Sequence, residues 1–338
     1  LQQRYHELVE ILPKDQFDRI VAKESFLVRS DLHTKPWADI YKDLFLEIIN
    51  EKLELNISQK DNFQIQPSHD VDRPFEFLYY TYPYLFKRVT GDILRSRSWI
   101  KMSQRIKKFK KVKSGILDSD PFNTFDWIME QSEICGLEST FHFISEVTNS
   151  KFDQSYELNN PEIQNLLEEI HDRGHKIALH PSFEATKMSG QTAKELSILK
   201  EESYDYTKEY MLWKSRNHYL RWNNSFLSEL EDSGVDIDQT LGFAETPGFR
   251  CGSCRRFKAY NFEKGEFSRV SFEPLILMEV SLFGSNYLNL SNNLTEAWDI
   301  ASSLKEECRK YNGNFTILWH NNNLVDKKMK DFYSQCIS

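Results

Sequence analysis

From residue 61 onward, short apolar runs alternate with longer stretches of helical periodicity, and that order leaves few folds open. Phe63-Gln64-Ile65-Gln66 alternates apolar and polar positions, as a strand does. Ser139-Thr140-Phe141-His142-Phe143-Ile144, Lys176-Ile177-Ala178-Leu179 and Phe315-Thr316-Ile317-Leu318-Trp319 read as further strands. Between them lie helical patterns. One starts at Asp120-Pro121-Phe122-Asn123-Thr124 and ends near Gly136. One opens with Asn160 as N-cap and Pro161 at the first helical position, shows Leu166, Leu167 and Ile170 on one face, and stops at Gly174. A long helix is predicted over residues 191–213, and another from Thr295 to Gly313. Strands separated by helices of about 12 to 20 residues build a parallel sheet, either open and doubly wound or closed into a barrel.

Residues 1–60 differ. Trp37 to Ile49 carries apolar positions at helical spacing and no strand signal is evident, so this part is expected to be a helical N-terminal extension of a domain covering 61–338. The extension can equally be the end of a missing upstream domain, since the chain starts at Leu1 and its first residues are not a signal peptide. With 40% hydrophobic residues and 28% charged, the chain can bury a proper core. A net charge of -8 argues against nucleic acid as a partner. No apolar run approaches the length of a membrane span. Five cysteines without dense spacing fit a reducing compartment, and a cytoplasmic location is expected, export not excluded. Cys251-Gly252-Ser253-Cys254 lacks the second pair that a structural zinc site needs and reads as a tight turn.

Polar clusters mark the ends of the strands. Ser68-His69-Asp70-Val71-Asp72 places two carboxylates in D-x-D spacing, on one side of an extended segment. Like charges at that distance repel, so a positive partner is needed. A divalent cation with one Asp as ligand and the other as base is one solution; a polar turn ending in Arg73-Pro74 is the other. His180 follows a buried strand, and Glu184 lies four residues on, where one turn of helix brings both to one face. His175 sits at the opposite end of that strand and reads as structural. Arg216-Asn217-His218-Tyr219 offers a guanidinium that can orient a carboxylate and a His that can serve as ligand or proton donor. Arg250 stands between Gly248 and Gly252, aimed at an anionic or carbonyl group or simply held in a turn. His320, in Leu318-Trp319-His320-Asn321-Asn322-Asn323, is placed as a general acid. Functional groups of parallel α/β folds gather at the carboxyl ends of strands, where Asp70, Asp72, His180, Arg216, His218 and His320 all fall. The run Arg105–Lys113 is strongly basic, with a solvated helix face as its plain reading and contact with an anionic glycan or a membrane surface as the other. Phe75, Phe77, Tyr79, Tyr80, Tyr82, Tyr84 and Phe86 form an aromatic patch that combines core with sugar-stacking candidates.

In order along the chain, the Asp pair, Gly174-His175 with His180, the Arg216 cluster and Leu318-Trp319-His320 resemble the polysaccharide deacetylase superfamily (NodB homology, carbohydrate esterase 4). More narrowly, they are similar to bacterial members with His-Asp-Val-Asp in the first motif, as at His69–Asp72. The hallmark stretch of those members is similar to Thr240–Ala244 through Gly248–Gly252, followed by Glu273-Pro274-Leu275. The likeness covers roughly residues 61–325. It implies a distorted (β/α)7 barrel and one divalent metal, zinc expected, with cobalt, nickel or manganese as other ions. It implies that Asp70 activates water, Asp72 and His180 bind the metal, Arg216 orients Asp70, and His320 protonates the leaving amine. The family places a third ligand, a His, four residues after the second; here that position is Glu184, so the third ligand is either Glu184 or His218. Arg250, Asn321 and Tyr219 are expected at a carbohydrate substrate. The implied activity is removal of an N-acyl group, acetyl first, from an amino sugar or its polymer. A deformylase, a cyclic-amide hydrolase and an inactive glycan-binding relative are the rivals.

Overall fold

Gln64–Val71 forms β1, an eight-residue strand that becomes fully buried toward its carboxyl end. The computed structural model describes residues 4, 6–7, 10–58, 61–91, 99–153, 156–223 and 225–338. β1 pairs in parallel with β2 (Thr140–Phe143) on one side and with β9 (Asn314–Leu318) on the other. Beyond β2, the parallel order continues through β3 (Lys176–Leu179), β4 (Lys214–Ser215) and β5 (Ile237–Asp238). β6 (Phe257–Asn261) is an antiparallel partner of β7 (Glu266–Phe272), which lies parallel to β5. The same extended run leads on into β8 (Leu277–Met278), parallel to β9.

That run closes the ring. Ser271 and Glu273 donate backbone N–H groups to Asp236 and Asp238 at 2.9 Å, and Leu275 donates to Leu241 at 3.1 Å; Ile276 then donates to Thr316 at 3.0 Å. Seven parallel members result, counting β7 and β8 as one, and the fold is the distorted (β/α)7 barrel that the sequence implied. The distortion sits where β4, β5 and β8 are only two residues long.

The helices follow from local chemistry. α1 (Trp37–Leu53) lies in the N-terminal part, and α2 (Tyr82–Gly91) and α3 (Trp99–Lys113) are inserted after β1. α4 (Phe125–Ile134), α5 (Pro161–Asp172), α6 (Gln191–Glu202), α7 (Phe226–Ser233), α8 (Leu294–Lys310) and α9 (Lys327–Ile337) connect or follow the strands. In α5, Ile163, Leu166, Leu167 and Ile170 are buried at helical spacing, as expected. The helix predicted over 191–213 is broken instead. Ser203 leaves the helical conformation at φ -113 and its hydroxyl donates back to the Leu199 carbonyl, a local bond that competes with the ladder; only a one-turn helix, Tyr204–Thr207, follows.

The N-terminal part is a strap over the barrel, and among its described residues only Trp37–Leu53 is a long helix. A single antiparallel bridge joins Lys14 to Ile20. The Phe249 N–H donates to the His33 carbonyl at 2.7 Å. A Cβ at Gly248 would lie 2.6 Å from that carbonyl oxygen, so glycine is required at φ +145 for the strap to approach. Asp39 accepts from Ser253 Oγ and the Cys254 amide, both at 2.8 Å, so one arm of the C-x-x-C turn anchors α1. All five cysteines are free and four are buried, in keeping with a packing role.

Arg250 holds the strap rather than a substrate. Its guanidinium donates to Glu7 at 3.0 Å and to the Gly242 carbonyl at 3.0 Å, and it is buried. The carboxylate that Glu7 supplies from the strap explains the difference from its expected role at the substrate. Burial alone would raise the Glu7 carboxyl, but Arg250 and Arg4 outweigh it and bring the pKa down to about 2. A depressed folded pKa stabilises above the unfolded value of about 4.3 and loses that contribution as pH falls toward the folded one. Glu7→Gln should therefore cost about 3–5 kcal/mol at pH 7, as removal of one partner of a buried pair does. In urea unfolding, the gap to wild type should narrow from about pH 4.3 downward. A gap that is constant with pH would rule this pairing out as its source.

Candidate active site

Alternation along β1 separates its polar residues. His69 points outward between sheet and α9, where its Nδ1–H donates to the Trp319 carbonyl at 2.8 Å and its ring stacks on Phe141 at 4.9 Å. Ser68 and Asp70 point the other way, toward Arg216. Asp70 and Asp72 line one cavity of 230 Å³ with His180, His218, Tyr219 and His320, at the carboxyl end of the barrel. Phe17 and Arg19 from the strap, and Tyr287, line it too.

Arg216 is fully buried, and its NH1 donates to Asp70 Oδ1 at 2.9 Å. Its NH2 donates to Ser68 Oγ at 2.7 Å, and Nε to the Gln239 carbonyl at 3.2 Å. The guanidinium thus fixes one oxygen of Asp70 and leaves the other facing His180 Nε2, at 3.7 Å. His142, on β2, sits 3.6 Å from Asp70 Oδ1. Burial and the charge of Arg216 hold its imidazole neutral, well below its ordinary value.

Asp72, His180 and His218 bring three ligand atoms within 4.8 Å of one another. His180 Nε2 lies 3.2 Å from Asp72 Oδ1, yet both atoms are buried without a hydrogen-bond partner. Each His is fixed from behind. His180 Nδ1–H donates to the Arg216 carbonyl, and His218 Nδ1–H donates to Asp153 at 2.9 Å. Both partners are acceptors only, so each ring carries its proton on Nδ1 and turns Nε2 toward Asp72, the arrangement that metal-bound imidazoles share. Two imidazoles and a carboxylate fit zinc and its neighbours in the first transition row. Of the two third-ligand candidates, His218 is the one brought into place.

Glu184 is directed elsewhere. Residues 180–184 are not helical, so the four-residue spacing does not put His180 and Glu184 on one face. Glu184 instead accepts from Asn149 Nδ2 at 3.0 Å and lies 3.6 Å from Arg221. Asn321 is likewise structural: its Nδ2 donates to the carbonyls of Arg73 and Phe122, at 2.9 and 2.8 Å, tying the loops after β1 and β9 together. Tyr219 does line the cavity. It and Leu220 both hold positive φ, 60° and 55°, which for residues other than glycine stores strain. Arg19 NH1 donates to the Tyr219 carbonyl at 3.2 Å and Phe17 stacks on its ring at 4.6 Å, so the strap supports the strained loop.

His320 acquires a partner that sequence reasoning missed. Its Nδ1–H donates to Glu279 at 2.6 Å, and its Nε2 lies 3.7 Å from Asp72 Oδ2. Burial lowers the imidazole pKa, but Glu279, then Asp72 and Asp70, raise it to about 10. His218 is raised to about 9, again against burial, by Asp72 and Asp153; a cation bound there would displace that proton. The same histidines hold the Asp72 carboxyl well below its ordinary value. Glu279 ends the apolar run Leu275–Met278, so the strand-end logic used for the other groups would have found it. Asp153 lies in a loop and had no such signal.

Neither protein-family models nor curated protein sequences returned a match to this chain. Solved structures did. A Mycobacterium smegmatis protein assigned as a polysaccharide deacetylase aligns over 84% of this chain and 85% of its own, with a TM-score of 0.51 at 12% identity. A Bordetella bronchiseptica protein assigned as a polysaccharide deacetylase of O-antigen biosynthesis aligns over 80% and 77%, with a TM-score of 0.37 and 12% identity. An allantoinase covers 83% and 85%, with a TM-score of 0.45 and 10% identity. At such identities the first of these shows a shared fold, and the barrel is of the kind that the sequence resemblance named. What the site does must be argued from its own residues.

Proposed function

We propose that the chain is a metal-dependent hydrolase of a carbon–nitrogen bond, removing an N-acyl group, acetyl first, from an amino sugar. The observation that carries this reading is the meeting of three differently prepared groups in one cavity: an Arg-held carboxylate, a convergent Asp/His/His donor set, and a carboxylate-held imidazole. Asp72, His180 and His218 would hold the cation, zinc in the first instance. A cation there supplies Lewis-acid polarisation of an amide carbonyl and of water. Asp70 accepts the proton of the attacking water through the oxygen that Arg216 leaves free. His320, kept protonated by Glu279, donates to the leaving nitrogen. The cavity, at 230 Å³, is below the range of about 300–1,000 Å³ typical for drug-sized ligands. This supports a single sugar residue or chain end as the reacting unit, with Tyr219 and Phe17 as its apolar wall.

Release of acetate or formate from N-acylated amino sugars, with zinc, cobalt, nickel or manganese added in turn, tests the reading. Turnover that a chelator abolishes and a metal restores is expected. Failure with every ion, on protein shown to bind metal, would leave the glycan-binding alternative.

The acid role has its own signature. With the folded pKa of His320 raised to about 10, the imidazolium persists through neutral pH. Glu279→Gln removes the largest favourable contribution, so the alkaline limb of the pH–rate profile should move to lower pH by about one unit or more. The stabilising effect of that pair is full below the unfolded value near 6.5 and fades as pH passes about 10. The Glu279→Gln stability cost should follow the same window. An unmoved alkaline limb would assign the proton to another group.

A further inference from the structure

The insertion after β1 carries a charge opposite to that of the rest of the molecule. Between Tyr82 and Lys113 the sequence holds eleven Lys or Arg residues and one acidic residue, Asp92, in a chain of net charge -8. α3 buries Phe109 and Val112, with Phe109 packed edge-on against Phe77, so its apolar side is spent on the protein. Lys107, Lys108, Lys110 and Lys111 are exposed on the other side. At the start of that face, Trp99 and Ile100 stand 68% and 72% exposed, and on α2 Phe86 is 71% exposed beside exposed Lys87. α2 and α3 contact one another, which puts these side chains on one hairpin.

A solvated surface explains the lysines but not three large apolar side chains set among them. An anionic polymer in water would pair with the lysines and leave Phe86, Trp99 and Ile100 wet. A bilayer with anionic headgroups satisfies both, because basic residues meet the surface charge while aromatic and aliphatic side chains enter the headgroup–acyl boundary. We infer that the α2–α3 hairpin docks this protein on an anionic lipid surface. The hairpin follows β1 from its carboxyl end, the end that holds the cavity. The inference rests on charge and exposure and stands whether or not the site hydrolyses an amide.

Co-sedimentation of the full chain with vesicles tests it. The vesicles contain one part phosphatidylglycerol to three parts phosphatidylcholine, or phosphatidylcholine alone. Binding to the anionic vesicles at about 0.1 M salt, and its loss near 1 M where the Debye length falls to about 3 Å, is expected. Lys107→Glu combined with Lys110→Glu and Lys111→Glu should weaken partitioning by about tenfold or more, and Trp99→Ala with Phe86→Ala should weaken it at unchanged salt dependence. These residues are outside the cavity, so hydrolysis of a soluble substrate and the unfolding midpoint should stay unchanged. No binding to anionic vesicles, equal binding to neutral ones, or self-association that the Trp99 variant abolishes in place of lipid binding would overturn the inference. So would retention by an anionic polysaccharide without retention by vesicles.

Discussion

Asp72→Ala should yield protein that folds, carries no stoichiometric divalent ion, and has no measurable hydrolysis. Asp72 supplies the only carboxylate among the three convergent donors, and its Oδ1, like His180 Nε2, is buried without a hydrogen-bond partner. Without it, His180 and His218 keep no carboxylate in the donor set, and Asp70 is already held by Arg216. Losing only the hydrogen-bond partner of a ligand costs about 10–100-fold in affinity, so loss of the ligand itself should exceed that. Asp153→Ala measures the lower figure directly, since it removes the acceptor and Asp153 touches the site only through His218 Nδ1. Metal content by mass spectrometry of the purified chain, beside the rate on an N-acetylated amino sugar, checks both. An Asp72→Ala protein that keeps one ion per chain would mean that the cation sits elsewhere.

Asp70→Asn should separate catalysis from metal binding. The amide keeps the shape of the side chain and can still accept from Arg216 NH1, but it cannot take a proton from water at neutral pH. A loss of about 10²–10⁴-fold in kcat is expected, with metal content unchanged and KM little affected. The change also leaves Arg216 buried with its charge uncompensated, so stability should fall by about 3–5 kcal/mol, and rates must be compared where both proteins are folded. Equal loss of metal in both Asp variants would collapse the division of roles between them.

That the two carboxylates share one cavity was legible because strands alternate, whereas the assignment of base to Asp70 and ligand to Asp72 came only from the family resemblance. D-x-D spacing put both carboxylates on one side, and His180, Arg216, His218 and His320 each followed a strand. The parallel sheet was legible from the alternation of strands and helices, but its closure into a barrel was implied only by the resemblance: the seventh member is one extended run whose two halves serve different neighbours, β5 and then β9. β4, β5 and β8, at two residues each, are too short to show periodicity. The misplacements share a cause. Glu184 was read through a helical spacing that the loop after β3 does not adopt, and Arg250 through a glycine-flanked turn whose partner, Glu7, lies 243 residues away. Asn321 ties loops together by bonds to backbone carbonyls, which no pattern of side chains reveals. Phe17 and Arg19 reach the cavity from the strap for the same kind of reason: long-range packing, not local periodicity, places them.

Crystals of the zinc-loaded chain, measured at the zinc absorption edge, test the central claim most directly. One anomalous peak is predicted, bonded to Asp72, His180 Nε2 and His218 Nε2 at about 2.0–2.2 Å, with Asp70 and His320 beside it and unbonded. A peak that excludes His218, or that includes Glu184 or Asp70 as a ligand, would contradict the account.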